Sequence, residues 1–581
     1  MPNTPWWKER VAYQIYPRSF QDSSATGTPD DGIGDIPGII SRLDEIQDLG
    51  AGIIWLSPVY RSPDADNGYD ISDYYAIDPR YGTMEDMERL FAEAAKRDIK
   101  IIMDLVINHT SDEHHWFQES RDPLSPYRDY YIWRKPRIDR RGRKAPPNNW
   151  TGFFMGDVWE YDEQSDEYYL HLFDKKQPDL NYQNPRVIEE VKKILQFWLD
   201  KGAGGFRCDV INIIYKESLE DGKQDLLSRL VPVVRGLEHY KGREGNHAIL
   251  RELRAEVLDR YDCFTVGETV MVDLEDAKLL CDQKRRELNM LFYFEHLEVD
   301  RRIARFIPKR FRAAKLLSVL SKWQRGLEWN AVYLENHDQS RIVSHFGAAR
   351  GKLLKRAYPW TAEDTLAWER SAKMLALLQM TLKGTPFVYQ GQEIGMTNFD
   401  YEGLDEVKDV ESQGLNKLMK SMGVPRFLRW KWIRASSRDN GRTPMQWDGT
   451  ENAGFSKGRP WLGLNSNFKH INYEAQRDDP RSVLSFYKAL ITLRKNNPCL
   501  REGDFIPLYG DRRLMVYRRR NAKGESYTLG LNFSGKETKI PRKVRAHLQG
   551  KVLVSNTDRK EAPRGSLLPW EGILIRMEDG E

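Results

Sequence analysis

The stretch Gly205-Phe206-Arg207-Cys208-Asp209 sets a guanidinium and a carboxylate two residues apart. On an extended strand such residues share a face. An arginine beside Asp209 keeps that carboxylate ionised, as a nucleophile requires. Val266-Gly267-Glu268 ends a second apolar run on a carboxylate, and Glu335-Asn336-His337-Asp338 ends a third. Asp104, with Asn108-His109 just beyond it, closes a fourth. On neighbouring strands these groups would bring several carboxylates and two histidines to one mouth. Crowded carboxylates raise one another's pKa, so one keeps its proton while another is ionised. A proton donor facing an anionic nucleophile is the equipment for breaking a glycosidic bond through an oxocarbenium-like transition state. Carboxyls about 5–5.5 Å apart give retention through a covalent glycosyl intermediate. Any one of these acids alone reads as a helix cap or ion-pair partner. Their joint placement carries the reading.

The elements that must position them are short apolar runs alternating with amphipathic segments. Strands are predicted at Tyr13–Tyr16, Ile53–Leu56, Lys100–Val106, Gly205–Val210, Thr265–Glu268, Met290–Phe294, Ala331–Glu335 and Pro386–Tyr389. Helical patterns lie between them at Ile39–Leu49, Met84–Arg97, Arg186–Lys201, Ala248–Arg260 and Ser371–Leu382. Eight strands separated by helices predict an α/β fold, a (β/α)8 TIM barrel. The polar, aromatic, Pro-rich stretch 109–179 is too long for an ordinary loop and reads as an inserted domain after strand 3. A second insertion, about 398–455, follows strand 8. From Gly503 short β segments predict a C-terminal antiparallel β-sandwich domain, 503–581, leaving 1–108 and 180–502 for the barrel.

The balance of 90 basic and 86 acidic residues in 581 leaves a net charge of +4, which implies no bulk attraction to nucleic acid or anionic lipid. No apolar run approaches the roughly 18 residues of a membrane helix, and the first residues lack a signal-peptide pattern. Cys208, Cys263, Cys281 and Cys499 show neither zinc spacing nor a disulfide framework. A cytoplasmic location is the plain expectation, and the oligomeric state is left open. With 17 Trp and 27 Tyr beside 86 carboxylates, the composition suits sugars, whose flat C–H faces and hydroxyls need aromatic platforms and acceptors. Aromatics also fill cores, so composition alone does not separate the two readings.

The segments DLVINHTS from Asp104, GGFRCDVIN from Gly204, VGET from Val266 and ENHDQSR from Glu335 resemble the four signature regions of glycoside hydrolase family 13, the α-amylase family. QPDLNYQNP from Gln177 resembles a fifth region in its oligo-1,6-glucosidase form, and NGYDISDYYAIDP and RDNGRTPMQWD are similar to that group. The resemblance implies Asp209 as nucleophile, Glu268 as acid/base and Asp338 as the third carboxylate. It implies that His109 and His337 bond the glucose of the first subsite, that Arg207 orients the nucleophile, and that Asp66, Tyr69 and Arg442 close the pocket around a terminal glucose. His114, His115 and His171 keep a structural reading, and Cys208 is expected to pack against the helices.

In this group the residue after the nucleophile is commonly Val where α-1,6 linkages are favoured; here it is Val210. The expected activity is that of a retaining exo-acting α-glucosidase on isomaltose and short oligosaccharides. Trehalose-6-phosphate hydrolysis and action on sucrose are alternatives, although His296–Arg301 lacks the Arg-Leu-Asp-Arg-Asp loop of sucrose isomerases. A non-catalytic sugar-binding or transporter-accessory protein is the alternative of another class, and the presence of all three carboxylates weighs against it. No cofactor is expected for the chemistry. Relatives bind calcium in the loop after strand 1, and here Asp22, Asp31, the Ile33 carbonyl and Asp35 are the corresponding oxygens for a structural ion. A metal-free turn rich in Asp and Gly reads almost as well.

Overall fold

The computed structural model describes residues 4–25, 30–224, 233–302, 307–349 and 360–577. Eight parallel strands, Ala12–Ile15 (β1), Ile53–Leu56 (β2), Lys100–Leu105 (β3), Gly205–Cys208 (β4), Phe264–Glu268 (β5), Met290–Phe292 (β6), Ala331–Val332 (β7) and Thr385–Tyr389 (β8), pair in the order β6-β5-β4-β3-β2-β1-β8-β7. This is the expected (β/α)8 barrel. Its seam lies between β6 and β7, where side chains bridge the gap. Tyr333 Oη donates to the Tyr293 carbonyl at 2.9 Å. His296 Nε2 lies 2.8 Å from the Tyr333 carbonyl. That substitution explains why β7 stops at Val332 rather than reaching Glu335.

The barrel interior is packed by side chains from alternate strands. Trp55 of β2 stacks on Phe292 of β6 at 5.4 Å, and Phe387 of β8 meets both rings edge-on. The Arg207 guanidinium of β4 lies 5.1 Å from the Trp55 ring. A charged group at the top of an apolar layer has no water to face, so it must find carboxylates there.

The helix before β4, Pro185–Asp200, begins with Pro at its first position and is capped by Asn184, whose side chain accepts from Arg186 N. Val187, Val191, Ile194, Leu195 and Trp198 fall on one face and are buried, which fixes the helix against the barrel. Gly205 then opens β4 at φ +139°, where a Cβ would meet Phe264 O at 1.9 Å. Only glycine allows that approach of β4 to β5.

Between β3 and β4 the chain leaves the barrel. His109 and Asp179 pair as an antiparallel bridge, so the two ends of this excursion lie together. Within it Trp133–Arg134, Glu167–Leu170 and Trp159–Asp162 form a three-stranded sheet. Trp150, Val158, Trp159, Leu170 and Leu172 build its core, into which Val210 and Ile213 project from the end of β4. After β8, helices Val410–Ser421 and Arg426–Ser436 form a hairpin. Beyond the barrel lie antiparallel sheets of five and two strands, the first starting at Asp504.

Helix limits differ from the sequence pattern in places. The helix predicted at Ser371–Leu382 starts at Ala362, capped by Thr361 through Asp364 N. Its first turns are polar and half-exposed, so apolar spacing does not mark them. The helix predicted at Ala248–Arg260 spans Glu244–Glu256 and is followed by a separate tight turn at Leu258–Arg260.

Candidate active site

Arg207 is the hub of the barrel mouth. Register sets it opposite Asp104 on β3 and Val266 on β5. Its Nη1 donates to Asp104 Oδ1 and Asp209 Oδ1, both at 2.6 Å, and its Nη2 donates to Glu268. One buried guanidinium thus serves three carboxyls. Burial pushes the Asp209 carboxyl well above the usual range, and the nearby Glu268 and Asp104 add to this while Arg207 opposes it. Burial also raises Asp104, to about 6. Arg207 was expected to hold Asp209 ionised. Burial and the two neighbouring acids oppose the ionisation that Arg207 favours, and Glu268 stands within hydrogen-bonding reach of Asp209.

Asp338 is the opposite case. Burial would raise it, but His337, then Arg438, whose Nη1 lies 3.5 Å away, and Arg442, whose Nη2 lies 2.7 Å away, hold its carboxyl well below the usual range. It is the fixed anion of the site. His337 beside it is pushed down to about 3 by burial and is neutral at pH 7. The counter-charges of Asp338 are therefore the two arginines.

A relay of hydrogen bonds joins the two groups. Gln14 Nε2 lies 2.9 Å from His337 Nδ1, so the amide donates and the imidazole proton sits on Nε2. That nitrogen lies 2.7 Å from Tyr69 Oη and 3.2 Å from Asp338 Oδ2. Tyr69 Oη donates to Asp104 Oδ2 at 3.0 Å, and its ring stacks on His337 at 5.3 Å, within 2° of parallel.

Asp66 closes another side. It accepts from Arg438 Nη2 and Gln177 Nε2, each at 3.3 Å. Burial raises its carboxyl to about 6, with Arg438 and Arg442 opposing. Gln177 Nε2 also lies 3.0 Å from His109 Nε2, which is 3.1 Å from the Tyr69 carbonyl. Burial lowers His109 to about 4, so it too is neutral. Arg442 Nε donates to the His337 carbonyl at 2.9 Å, while its Nη1 is buried with no partner among the described residues.

The structure thus brings Asp66, Tyr69, His109, Arg207, Asp209, Glu268, His337, Asp338 and Arg442 into one network. Sequence reasoning singled out none of Gln14, Gln177, Arg438 and Lys216. Lys216 is fully buried, with Nζ 2.5 Å from Asp179 Oδ2 and 2.8 Å from Asn108 Oδ1. It ties the end of the inserted segment to the barrel beneath His109. Gln177 and Arg438 open motifs that the sequence does display, and that was the available signal. Gln14 carries no charge and had none.

Val210 stands apart from the network. Its backbone is left-handed, φ +37° and ψ +38°, a strained state for a β-branched residue that costs about 1–3 kcal/mol. Its side chain packs into the core of the inserted segment. Cys208 faces Leu195, Leu250, Leu253 and Leu258 of the helix layer, as expected. His114 caps a helix by accepting from Trp116 N.

The predicted ion ligands lie in a loop whose residues 26–29 are outside the described residues. Asp22 Oδ1 accepts from Ser24 N, and its Oδ2 accepts from Gly32 N and Ser456 Oγ. Asp31 Oδ1 accepts from Ile33 N at 2.9 Å. Asp35 caps the next helix through Gly38 N and holds Ser23 Oγ. Both oxygens of Asp22 and of Asp35 are therefore engaged, by donors of the loop, of Ser456 and of the following helix, with which a calcium ion would have to compete. Among the described residues, three acids with ligand oxygens within 4.8 Å of one another occur at Glu189, Glu252 and Glu256. There Lys192 Nζ already stands 2.7, 2.6 and 2.7 Å away. An ammonium takes that place.

Gln14 gives a sharp test of the relay. A carboxylate in its place, Gln14→Glu, accepts where the amide donates and forces a proton onto His337 Nδ1. At pH 7 kcat/KM should fall about 100- to 1,000-fold, the scale of a lost oriented donor. The new anion raises the His337 pKa, so activity should recover as pH falls and Nε2 regains its proton. A pH profile of kcat/KM parallel to the parent's would show that Gln14 does not set the tautomer.

Residues 14–503 match the model of the α-amylase catalytic domain. An oligo-1,6-glucosidase of Halalkalibacterium halodurans is 45% identical over 567 residues, 96% of each chain. Among solved structures, trehalose-6-phosphate hydrolase of Bacillus licheniformis is 41% identical with a TM-score of 0.86, covering 99% of this chain and 100% of that one. Isomaltulose synthase of Klebsiella sp. LX3 is 38% identical at a TM-score of 0.89, again over 99% and 100%. With that match along most of its length and a barrel mouth built on three acids around one arginine, the chain belongs to the α-amylase family of glycoside hydrolases.

Proposed function

We propose that the enzyme is a retaining exo-α-glucosidase that releases terminal α-1,6-linked glucose from isomaltose and short oligosaccharides. The observation that carries this reading is the pairing of Asp209 and Glu268 on Arg207, with Asp338 held anionic opposite them. Five carboxyls, Asp66, Asp104, Asp209, Glu268 and Asp338, face three guanidiniums, Arg207, Arg438 and Arg442. That negative excess favours one retained proton in the ground state and a cationic sugar in the transition state. Glu268 gives its proton to the glycosidic oxygen while Asp209 attacks the anomeric carbon. Glu268 then takes a proton from water, which releases α-glucose. Asp66, Tyr69, Gln177 and Arg442 close the pocket behind the terminal ring, which supports exo-action.

The 1,6 preference rests on Val210 and on the relatives named oligo-1,6-glucosidase. Val210→Ala should lower the ratio of kcat/KM for isomaltose to that for maltose by ~10-fold, the lower end of what one or two methyl groups discriminate. An unchanged ratio removes Val210 from the specificity argument. Initial rates on isomaltose, maltose, sucrose, trehalose and trehalose-6-phosphate, measured side by side, test the substrate class. Isomaltose below the others overturns it. A structural calcium ion in the 22–35 loop is tested by chelation and thermal melting. A loop held by its own hydrogen bonds predicts no change in Tm or turnover, and a Tm lowered by several degrees would place an ion there.

A further inference from the structure

The near balance of charge over the whole chain conceals a local asymmetry. Between Ser412 and Ser437 the sequence carries Lys417, Lys420, Arg426, Arg429, Lys431 and Arg434 and no acidic residue. Those six charges exceed the +4 of the entire chain, so the rest of the molecule is net negative. The segment is the helical hairpin after β8. Its inner face, Leu415, Met419 and Ile433, is buried on Phe399, Tyr401 and Val407, with Trp430 and Trp432 packed beside them. The outer face and tip are different. Lys417, Lys420, Arg426 and Lys431 are exposed, and between them stand Met422, 46% exposed, and Phe427, 69% exposed. Lys417, Lys420 and Lys431 make no ion pair among the described residues. Arg426 has only a long contact, 4.0 Å, to the exposed Asp405.

From this juxtaposition we infer that the 412–437 hairpin is a docking surface for an anionic phospholipid membrane. Two features point to lipid. The exposed cations complement an anionic surface, and large exposed apolar side chains interspersed with them along the chain are what an interfacial helix inserts below the headgroups. A soluble polyanion rewards the cations but has nothing to offer Phe427 and Met422. The geometry leaves catalysis free while the tip is engaged. The far end of helix Arg426–Ser436 meets the site, where Ser340 Oγ donates to the Ala435 carbonyl at 2.9 Å, so the tip stands about 16 Å away along the helix.

Flotation of the full-length enzyme with vesicles of phosphatidylglycerol and phosphatidylcholine, against phosphatidylcholine alone, tests the inference. Binding is expected to the anionic vesicles only and should weaken as salt rises. The triple variant Lys417→Glu/Lys420→Glu/Lys431→Glu should partition more than about a hundredfold less, at about fivefold or more per charge. Met422→Ser/Phe427→Ser should also lose most of its vesicle binding. Both should keep parental melting temperature and glucoside turnover, since neither set touches the site. Equal binding to neutral and anionic vesicles, or none to either, overturns the proposal. So does a Met422→Ser/Phe427→Ser protein that binds vesicles like the parent, which would make the hairpin a general polyanion site. A parent that dimerises through this face, with the dimer lost in both variants and vesicles ignored, also overturns it.

Discussion

Asp209→Asn is expected to lower kcat on isomaltose by ~10^4-fold or more while leaving a folded and slightly more stable protein. The catalytic loss follows from removing the only group proposed to form the glycosyl–enzyme bond, without which the reaction has no covalent route. The gain in stability follows from the sign of the pKa shift. Burial raises the Asp209 carboxyl above its unfolded value. A group raised in this way favours the folded state as pH falls and opposes it as pH rises through the folded pKa. At neutral pH an amide removes that opposition and relieves three acids of sharing one guanidinium. Circular dichroism and melting should therefore show an intact fold with Tm equal to or above the parent's, while turnover is lost. Turnover within tenfold of the parent would end the nucleophile assignment. A Tm many degrees lower would make the loss of activity a folding effect.

What the sequence displays and what it withholds divide along a physical line. Acids at strand ends are legible because a β-strand has a period of two and a barrel gathers its strand ends. Asp104, Asp209 and Glu268 meet on Arg207 for that reason. Barrel strands are legible because burial on both faces makes them continuous apolar runs. Gln14 and Lys216 are not legible, since their roles arise from partners 323 and 108 residues away. The direction of Asp209's shift is hidden as well. The sequence shows one arginine beside one aspartate, and only the folded mouth shows that two further acids compete for the same guanidinium. The calcium expectation meets a similar limit of spacing. Spacing of Asp22, Asp31 and Asp35 resembles a ligand set, but in the fold Asp35 is a helix cap and Asp22 is bound by Gly32 and Ser456. Spacing does not say which backbone donors arrive first. The hairpin charge is lost by averaging, because a near-neutral total contains a strongly basic local patch.

The second large effect separates two acids that share one guanidinium. Glu268→Gln keeps the Arg207 contact sterically but cannot donate a proton to the leaving oxygen or take one from water. On isomaltose, whose leaving sugar needs protonation, kcat should fall ~10^3- to 10^4-fold, near the top of the range for general acid–base catalysis. A p-nitrophenyl α-glucoside carries a leaving group that departs as the anion. Its first step should survive, the second should stall, and a burst of nitrophenol followed by a slow steady state should appear. Azide distinguishes the roles further, because it needs no base. With Glu268→Gln it should attack the glucosyl–enzyme and give α-glucosyl azide, the retained product. With Asp209→Gly it should attack the substrate directly from the opposite face and give the β-azide. The two anomers are read by proton NMR. Exchange of the two outcomes would reverse the assignments of Asp209 and Glu268, and loss of both steps to the same degree on both substrates would remove Glu268 from proton transfer. The paired geometry on Arg207 makes the test necessary, since one guanidinium holds both carboxyls and static contacts alone do not distinguish attacker from donor. What distinguishes them is which acid bonds to the anomeric carbon, and the anomer of the azide records whether one displacement or two occurred there.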